Sequence, residues 1–208
     1  MYHFTVPMAL MDFVPVVFFA VTAVLLLRDL YSKMGIGTYV LLAAGSVNVF
    51  LAGFCKALWK LLYAAEICDF LALEQIFLPV NSLGLLFVGI SIVAMLCRKK
   101  KPALLSVAPP VFAGSMPFIL MMVLGLGGMC TGLSIVAGKM KKTPAIILFV
   151  LSFVCAMVMG YMSSQDATLS WVNWAEQSIN TVSQACLMFG VIMLHKAGLK
   201  EWTRASGA

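Results

Sequence analysis

The sequence predicts an all-α fold, a polytopic transmembrane helical bundle with seven spans, or six as the alternative. Of its 208 residues, 62% are hydrophobic and only 11% are charged, with a mean hydropathy of +1.03. A soluble domain carries about a quarter charged residues. About 20 apolar residues cross the hydrocarbon core as a helix, and the charged stretches between the apolar runs are short. Residues 1–208 are therefore predicted to form a single integral membrane domain in contact with the lipid bilayer.

The apolar runs and the charged residues between them define the spans in order. The first run has no Lys or Arg before it and no small-residue cleavage site after it, so we expect a retained span rather than a cleaved signal peptide. A longer stretch, 103–138, contains Pro109, Pro110 and several glycines. It fits either one broken helix or two short spans joined by a turn. The other five spans are predicted near 10–30, 37–58, 71–97, 145–163 and 175–194.

The distribution of lysine and arginine distinguishes these alternatives, because basic residues near span ends mark the cytoplasmic side. If the stretch 103–138 crosses twice, twelve of the 14 basic residues fall on one side and only Lys56 and Lys60 on the other. If it crosses once, they divide six to eight. The pattern favours seven spans in the plasma membrane, with the N-terminus outside and the C-terminus cytoplasmic. The net charge of +6 then reflects loops facing anionic lipid, and no nucleic-acid partner is expected.

Short sequence matches indicate an internal duplication of three spans. The recurring dipeptides are Lys33-Met34 with Lys139-Met140 and Glu74-Gln75 with Glu176-Gln177. The repeat units are predicted at 8–100 and 119–196, with a linking span near 103–118. Basic residues follow the first and third helix of both units, so both units should have the same orientation, which requires the linking span. A six-span chain would instead form inverted 3+3 repeats, and each half would contradict the charge bias of the other.

This 3+1+3 plan is similar to that of the SWEET and PQ-loop proteins, whose parallel repeats are related by an axis along the membrane normal. The similarity concerns the plan alone. The chain contains no Pro-Gln dipeptide, and the second span of each unit lacks the proline that the SWEET pattern leads us to expect. No family membership is inferred from it.

Polar side chains within two related spans are the candidate binding residues. An ionisable side chain at the centre of a membrane helix costs about 2.5–3.5 kcal/mol on insertion scales, so polar residues there need a reason. In the last span they recur at intervals that place them on one helical stripe. The third span has a similar set around Pro79. This proline fits a kink or an exposed carbonyl ligand, but proline is common in membrane helices and the plainer interpretation is favoured. The predicted substrate-binding residues are Glu74, Gln75, Asn81, Glu176, Asn180 and Gln184.

Two plainer interpretations compete with a binding site. The polar residues can form interhelical hydrogen bonds, worth about 0.6 kcal/mol each on average, or both glutamates can lie in water at the outer interface. Lys56 and Lys60 are expected to form salt-bridged anchors at that interface with Glu66, Asp69 and Glu74. The second unit has no lysine at the matching positions, so Glu176 is expected to lack a lysine partner. Glu176 is therefore the better candidate for a substrate-sensitive or proton-sensitive group.

A face of small residues lies between positions 125 and 138, with Gly128-x-x-x-Gly132 at its centre. Small residues at this spacing let two helices approach closely. We expect a helix–helix contact there, either within the chain or in a homo-oligomer or a complex with another membrane subunit.

The sequence offers no assembly of catalytic or metal-binding residues. His3 and His195 lie at or beyond span ends, and the six cysteines include no C-x-x-C pair. No enzymatic activity, metal or cofactor is expected. The leading hypothesis is a small transporter or channel for a small polar or cationic solute, with its path between the two three-helix units. The alternative is a non-transport membrane module, either a ligand sensor or a subunit of a larger membrane complex.

Overall fold

The computed structural model describes residues 5–97, 115–162 and 170–202. All regular secondary structure in these ranges is helical, as predicted. Helices are the expected solution because a backbone in hydrocarbon must satisfy its hydrogen bonds within its own segment. The helices are α1 (Val6–Met11), α2 (Phe13–Leu30), α3 (Ile36–Ala64), α4 (Ala72–Gln75), α5 (Phe77–Cys97), α6 (Met116–Lys139), α7 (Thr143–Met162) and α8 (Ser170–Lys196).

Two prolines explain why two of the spans consist of a short helix followed by a long one. Pro15 and Pro79 have no N–H to donate to the carbonyl groups four residues earlier, those of Met11 and Gln75. The helix is interrupted beside each of these carbonyls, between α1 and α2 at Asp12 and between α4 and α5. The interruption near Pro79 is the alternative that the sequence analysis did not favour. The first break lies at an acidic residue, Asp12, which contributes to the site described below.

Six described segments are long and apolar enough to cross a membrane, which makes the chain an integral membrane protein. They are Val6–Leu30, Ile36–Ala64, Ala72–Cys97, Met116–Lys139, Thr143–Met162 and Trp171–Lys196. Five correspond to the spans predicted from short apolar runs, and the sixth is the second half of the stretch 103–138. Among the described residues the number of spans is that of the six-span alternative. The linking span predicted near 103–118 lies, up to residue 114, outside them.

The long helices form a closed ring in chain order. Each of α2, α3, α5, α6 and α7 packs against the next long helix, and α8 returns to pack against α2. The short helices α1 and α4 extend the spans that begin with them, and α1 also packs against α3. Side chains such as Leu26, Phe149 and Leu187 are fully buried between the helices. Apolar side chains such as Val24 and Ile147 remain exposed on the outside of the ring, as on a surface that contacts lipid.

Contacts between neighbouring helices give their directions. The helices α2, α3 and α5 alternate in direction, and so do α6, α7 and α8. The helices α5 and α6 run parallel, since Gly125 lies against Leu85 and, two turns later, Gly132 lies against Ile92.

The helices α2 and α8 are parallel as well. Asp29 near the end of α2 contacts His195 near the end of α8. Close to the beginning of the same two helices, Asp12 and Glu176 both interact with Lys56.

The four parallel helices α2, α5, α6 and α8 therefore begin at one end of the bundle and finish at the other. These are named here the Asp12 end and the Asp29 end. In the described part of the chain, Lys56 and Lys60 are the membrane-helix lysines near the Asp12 end. The basic residues at the Asp29 end are Arg28, Lys33, Lys139, Lys141, Lys142, Lys196 and Lys200.

Candidate functional site at the seam between two helix triplets

The ring divides into two triplets, α2–α3–α5 and α6–α7–α8, which meet at two seams. At one seam α5 packs against α6, and at the other α2 packs against α8. The α5–α6 contact is named the glycine seam and the α2–α8 contact the polar seam, after the residues that line them.

Glycines bring the two backbones into direct contact at the glycine seam. Gly89 lies against the backbone of Gly125, and Gly125 lies against the backbone of Leu85 and Leu86. A Cβ atom at either glycine would overlap the facing backbone, so no side chain fits between the helices. The small-residue face predicted between 125 and 138 is thus a helix–helix contact within the chain. Its central glycines are covered by α5 and are not available to a homo-oligomer or another subunit.

A cluster of charged residues lies at the Asp12 end. Lys60 Nζ is 2.8 Å from Asp12 Oδ2, and both side chains are about nine-tenths buried. The break at Pro15 positions Asp12 beside the last turns of α3, which carry Lys60. An ion pair shielded in this way is far less weakened by solvent than a surface pair. It ties the first span to the second.

Lys56, one turn before Lys60 on α3, connects this ion pair to the second triplet. Its ammonium group lies 4.3 Å from the centre of the Phe77 ring, a cation–π contact. It also interacts electrostatically with the carboxylates of Glu176, Asp12 and Glu74, most strongly with Glu176. The expectation that Glu176 lacks a lysine partner is therefore wrong. Sequence matching compared positions within each repeat and did not anticipate that α8 of one triplet approaches α3 of the other.

The predicted site residues of the third span separate in the structure. Glu74, in the short helix α4, is half-buried and belongs to the charged cluster, whereas the neighbouring Gln75 is exposed. Asn81 is buried in α5, and its amide Nδ2 donates a hydrogen bond to Met122 Sδ of α6 at 3.3 Å. Asn81 therefore lies at the glycine seam and not beside Glu74.

The predicted residues of the last span remain together on α8. Glu176 and Asn180 are one turn apart and half-buried, as is Gln184. Gln177, which was not predicted, is 95% buried, and its Nε2 has no hydrogen-bond partner. Gln184 Oε1 is likewise buried without a partner. Gln177 and Gln184 are seven residues apart and so share one face of the helix.

The Asp29 end of the polar seam holds a second charged contact. Asp29 of α2 is fully buried, and its Oδ2 lies 2.8 Å from Nδ1 of His195 on α8. The other carboxylate oxygen, Oδ1, is buried without a hydrogen-bond partner. The His195 side chain is 32% exposed, so water reaches the pair from its imidazole side.

The segment after α8 is fixed beside this pair. Gly198 adopts φ +85°, a left-handed conformation, and the Leu199 N–H returns to the carbonyl of Leu194, which ends the helix. Lys33 Nζ then donates hydrogen bonds to the carbonyls of Lys200, at 2.8 Å, and Trp202. Desolvation lowers the pKa of the Lys33 ammonium group, while the nearby Asp29 acts in the opposite direction.

Sequence reasoning missed Asp29, His195 and Gln177. His195 was set aside because it lies at a span end, and Asp29 was not considered. Asp29 and His195 are 166 residues apart, and no local pattern connects them. The helical face of α8 is a signal that could have found Gln177 and His195, because both fall on the same side of that helix as Gln184.

Among the described residues, no group of three or more His, Cys, Asp or Glu side chains can hold a metal ion. The class that the fold defines is an integral membrane protein built as a helical bundle. Comparisons with protein-family models, curated proteins and solved structures gave no match.

Proposed function

We propose that the protein is a small transporter or channel, without enzymatic activity, that moves a small polar or cationic solute along the polar seam between the two triplets. One observation carries the proposal. The buried side-chain atoms without a hydrogen-bond or ion-pair partner, among the described residues, all belong to α2, α8 or the segment that follows α8: Asp29, Gln177, Gln184 and Trp202. Leaving such an atom unpaired costs about 1–3 kcal/mol. A polar solute is a partner that would satisfy several of them.

These residues extend along most of the depth of a membrane. Gln177, Gln184 and His195 share the face of α8 that meets α2 at the Asp29 end. From Gln177 to His195 the helix rises about 27 Å at 1.5 Å per residue, and the hydrocarbon core is about 30 Å thick. Along this face, Gln184 lies about 10 Å from Gln177 and His195 lies about 16 Å from Gln184. A solute that exchanges hydrogen bonds with them would cross the membrane in two steps of that length.

The charged cluster at the Asp12 end favours cations over anions. It combines three carboxylates with two lysines, and Glu176 connects it to α8. We propose Glu176 and Glu74 as charge sites at the mouth of the path, and Asn180 and Gln184 as neutral contacts within it. Asn81 and Gln75 belong to the same predicted set. Asn81 lies at the glycine seam and Gln75 is exposed, so we propose that they contribute less to solute binding.

We further propose seven spans for the whole chain. The observation that supports a seventh span is the parallel direction of α5 and α6. The helix α5 finishes at the Asp29 end and α6 begins at the Asp12 end, so the intervening chain has to return across the membrane. An antiparallel pair, as in a six-span chain, would need no such return.

The same directions support the duplication into units 8–100 and 119–196. Both triplets alternate in the same sense, and each seam joins the last helix of one triplet to the first helix of the other in parallel. This is the relation expected for two parallel units about an axis along the membrane normal. The basic residues at the Asp29 end support a cytoplasmic location for that end, with the N-terminus outside and the plasma membrane as the location.

Uptake into sealed lipid vesicles tests the transport proposal. The reconstituted protein is offered radiolabelled methylammonium, guanidinium and urea, and protein-free vesicles give the background. We expect cation uptake above background, reduced about tenfold by Glu176→Gln, a loss equivalent to about 1.4 kcal/mol. Glu66→Gln is the matched control, because Glu66 is an exposed acidic residue at the same end and outside the cluster.

Uptake that equals background for all three probes would overturn transport and favour the sensor or subunit alternative. Uptake that is equally sensitive to Glu66→Gln and Glu176→Gln would show that general surface charge, and not the cluster, attracts the cation.

A further inference from the structure

We propose that Asp29 is a cation-exchange site, at which protonated His195 and a small cation with N–H donors compete for one buried carboxylate. The inference rests on the proposed function and deepens it, since it assigns a solute class and a coupling to protons. It concerns the Asp29 end of the polar seam, whereas the predicted site lay at the other end.

The carboxylate of Asp29 needs a balancing positive charge. Asp29 is fully buried, and an ionised carboxylate removed from water needs an opposite charge nearby. His195 supplies that charge when its imidazole is protonated, across a distance of 2.8 Å. Lys33 also interacts electrostatically with Asp29, but its ammonium is committed to the carbonyls of Lys200 and Trp202.

The carboxylate of Asp29 can also accept more hydrogen bonds than it does. Asp29 Oδ1 has no hydrogen-bond partner, although carboxylate oxygens each accept hydrogen bonds readily. His195 satisfies only Oδ2. A cation that carries N–H donors would satisfy Oδ1 and supply the balancing charge at the same time, whereas a cation without donors would supply the charge alone.

The pair can be reached from the Asp29 end of the bundle. The His195 side chain is 32% exposed, so a cation from the Asp29 end meets the imidazole first. The charged groups around the entrance are Arg28, Lys196, Lys200 and Glu201, which are exposed. When the cation takes its place at Asp29, imidazolium transfers its proton to water, and the charge of the site is unchanged. No covalent bond forms or breaks apart from this proton transfer.

The exchange has a definite pH dependence. Imidazolium occupies the carboxylate while His195 is protonated, and the carboxylate is left for the cation once that proton has gone. Because one proton leaves for each cation bound, we expect the affinity for the cation to rise with pH, by about tenfold per pH unit where His195 is protonated in the cation-free protein.

Methylammonium binding to the purified full chain in detergent tests the proposal, by calorimetry and by proton release into weakly buffered solution. The wild-type protein should release close to one proton per methylammonium bound at the acidic end of a series from about pH 5.5 to about pH 8, and less at its alkaline end. Tetramethylammonium, which has no N–H donor, should bind about tenfold or more weakly.

Two variants separate the roles of the partners. Asp29→Asn, nearly equal in size and uncharged, should abolish methylammonium binding. His195→Gln keeps a donor beside Asp29 and should bind methylammonium without proton release and without pH dependence. Glu66→Gln, which removes an exposed carboxylate at the opposite end of the bundle, should behave as the wild type.

Methylammonium binding by Asp29→Asn with unchanged affinity would overturn the proposal, as would proton release that persists in His195→Gln. If Asp29→Asn does not fold, the His195→Gln result decides alone. Absence of vesicle uptake together with intact proton-coupled binding would contradict transport but not this site. Uptake that ignores pH and Asp29→Asn would contradict this site but not transport.

Discussion

The two seams join the same two triplets with opposite chemistry. At the glycine seam the backbones of α5 and α6 touch, and the one interhelical side-chain hydrogen bond identified there is the weak contact of Asn81 with Met122 sulfur. At the polar seam the α2–α8 contact is made by Asp29 with His195, and the unpaired atoms of Gln177 and Gln184 lie on the same face. The glycine seam brings two backbones together, whereas the polar seam carries a charged pair and unpaired polar atoms.

This difference indicates which seam is permanent. Close packing of small residues is lost as soon as the helices separate, and lipid offers no compensation for the direct backbone contact. Charged and hydrogen-bonding groups can exchange one partner for another, such as water or a solute, at little net cost. If the triplets move relative to each other, we expect the glycine seam to act as the fixed axis and the polar seam to open.

The largest expected effect is from filling the glycine seam. Gly125→Leu would place a side chain into the backbone of Leu85 and Leu86, so we expect a stability loss of about 3 kcal/mol or failure to fold. Gly160→Leu is the control, since nothing lies within 4 Å of its Cβ position. Unfolding in detergent, followed by circular dichroism, gives both values. Equal stability of the two variants would mean that the seam is not packed as described.

A smaller effect is expected from breaking the charged pair at the polar seam. His195→Ala leaves the buried Asp29 carboxylate without its partner. We expect a loss of about 2 kcal/mol, below the about 3–5 kcal/mol known for fully buried pairs, because water reaches this pair from one side. The double variant His195→Ala with Asp29→Asn should recover most of that loss. A double variant less stable than His195→Ala would show that Asp29 has another stabilising role.

A third effect, smaller still, concerns the polar group at the glycine seam. Asn81→Leu removes the hydrogen bond to Met122 Sδ but keeps the volume of the side chain approximately. Interhelical hydrogen bonds in membranes average about 0.6 kcal/mol, so we expect a stability change no larger than that. The same unfolding measurement applies, with Ser183→Ala as a reference, because Ser183 donates a 2.8 Å hydrogen bond to the Ser152 carbonyl. A loss of stability from Asn81→Leu that exceeds the loss from Ser183→Ala would mean that polar contacts contribute more to the stability of the glycine seam than expected.

The spans were predictable from the sequence because hydrophobic length is a local property. The apolar runs located five spans, and each predicted end lies within about six residues of the corresponding end in the structure. The glycine spacing located a helix–helix contact. Proline chemistry likewise explains the break before α5, although the sequence analysis favoured an uninterrupted helix there. Each of these inferences needs information from one segment only.

The site was predictable only in part because it depends on which helices become neighbours. Glu74 and Glu176 were predicted from their matching sequence context, and both interact with Lys56. The contact between α8 and α2 depends on closure of the ring, which no short pattern encodes. For this reason the pair Asp29–His195 and the orientation of Gln177 emerged only from the packed helices.

The smallest expected effect is the pH dependence that Lys33 gives to the docking of the C-terminal segment. Desolvation lowers its pKa below the ordinary value of 10.5, so the unfolded chain binds more protons than the folded one between the lowered pKa and about 10.5. Stability should therefore rise slightly as pH rises through this interval. The neutral amine can still donate to the Lys200 and Trp202 carbonyls, so the docking itself persists.

Lys33→Met should remove this rise, while Lys139→Met, at the matching place after the first helix of the second triplet, should retain it. The measurement is the melting temperature of each protein at several pH values between about 8 and 10.5, the upper limit being the ordinary lysine pKa. A slope in Lys33→Met equal to that of the wild type would assign the pH dependence to another group. A slope of opposite sign in the wild type would mean that Asp29 outweighs desolvation at Lys33, and that the charged form of the lysine is the one stabilised by the fold.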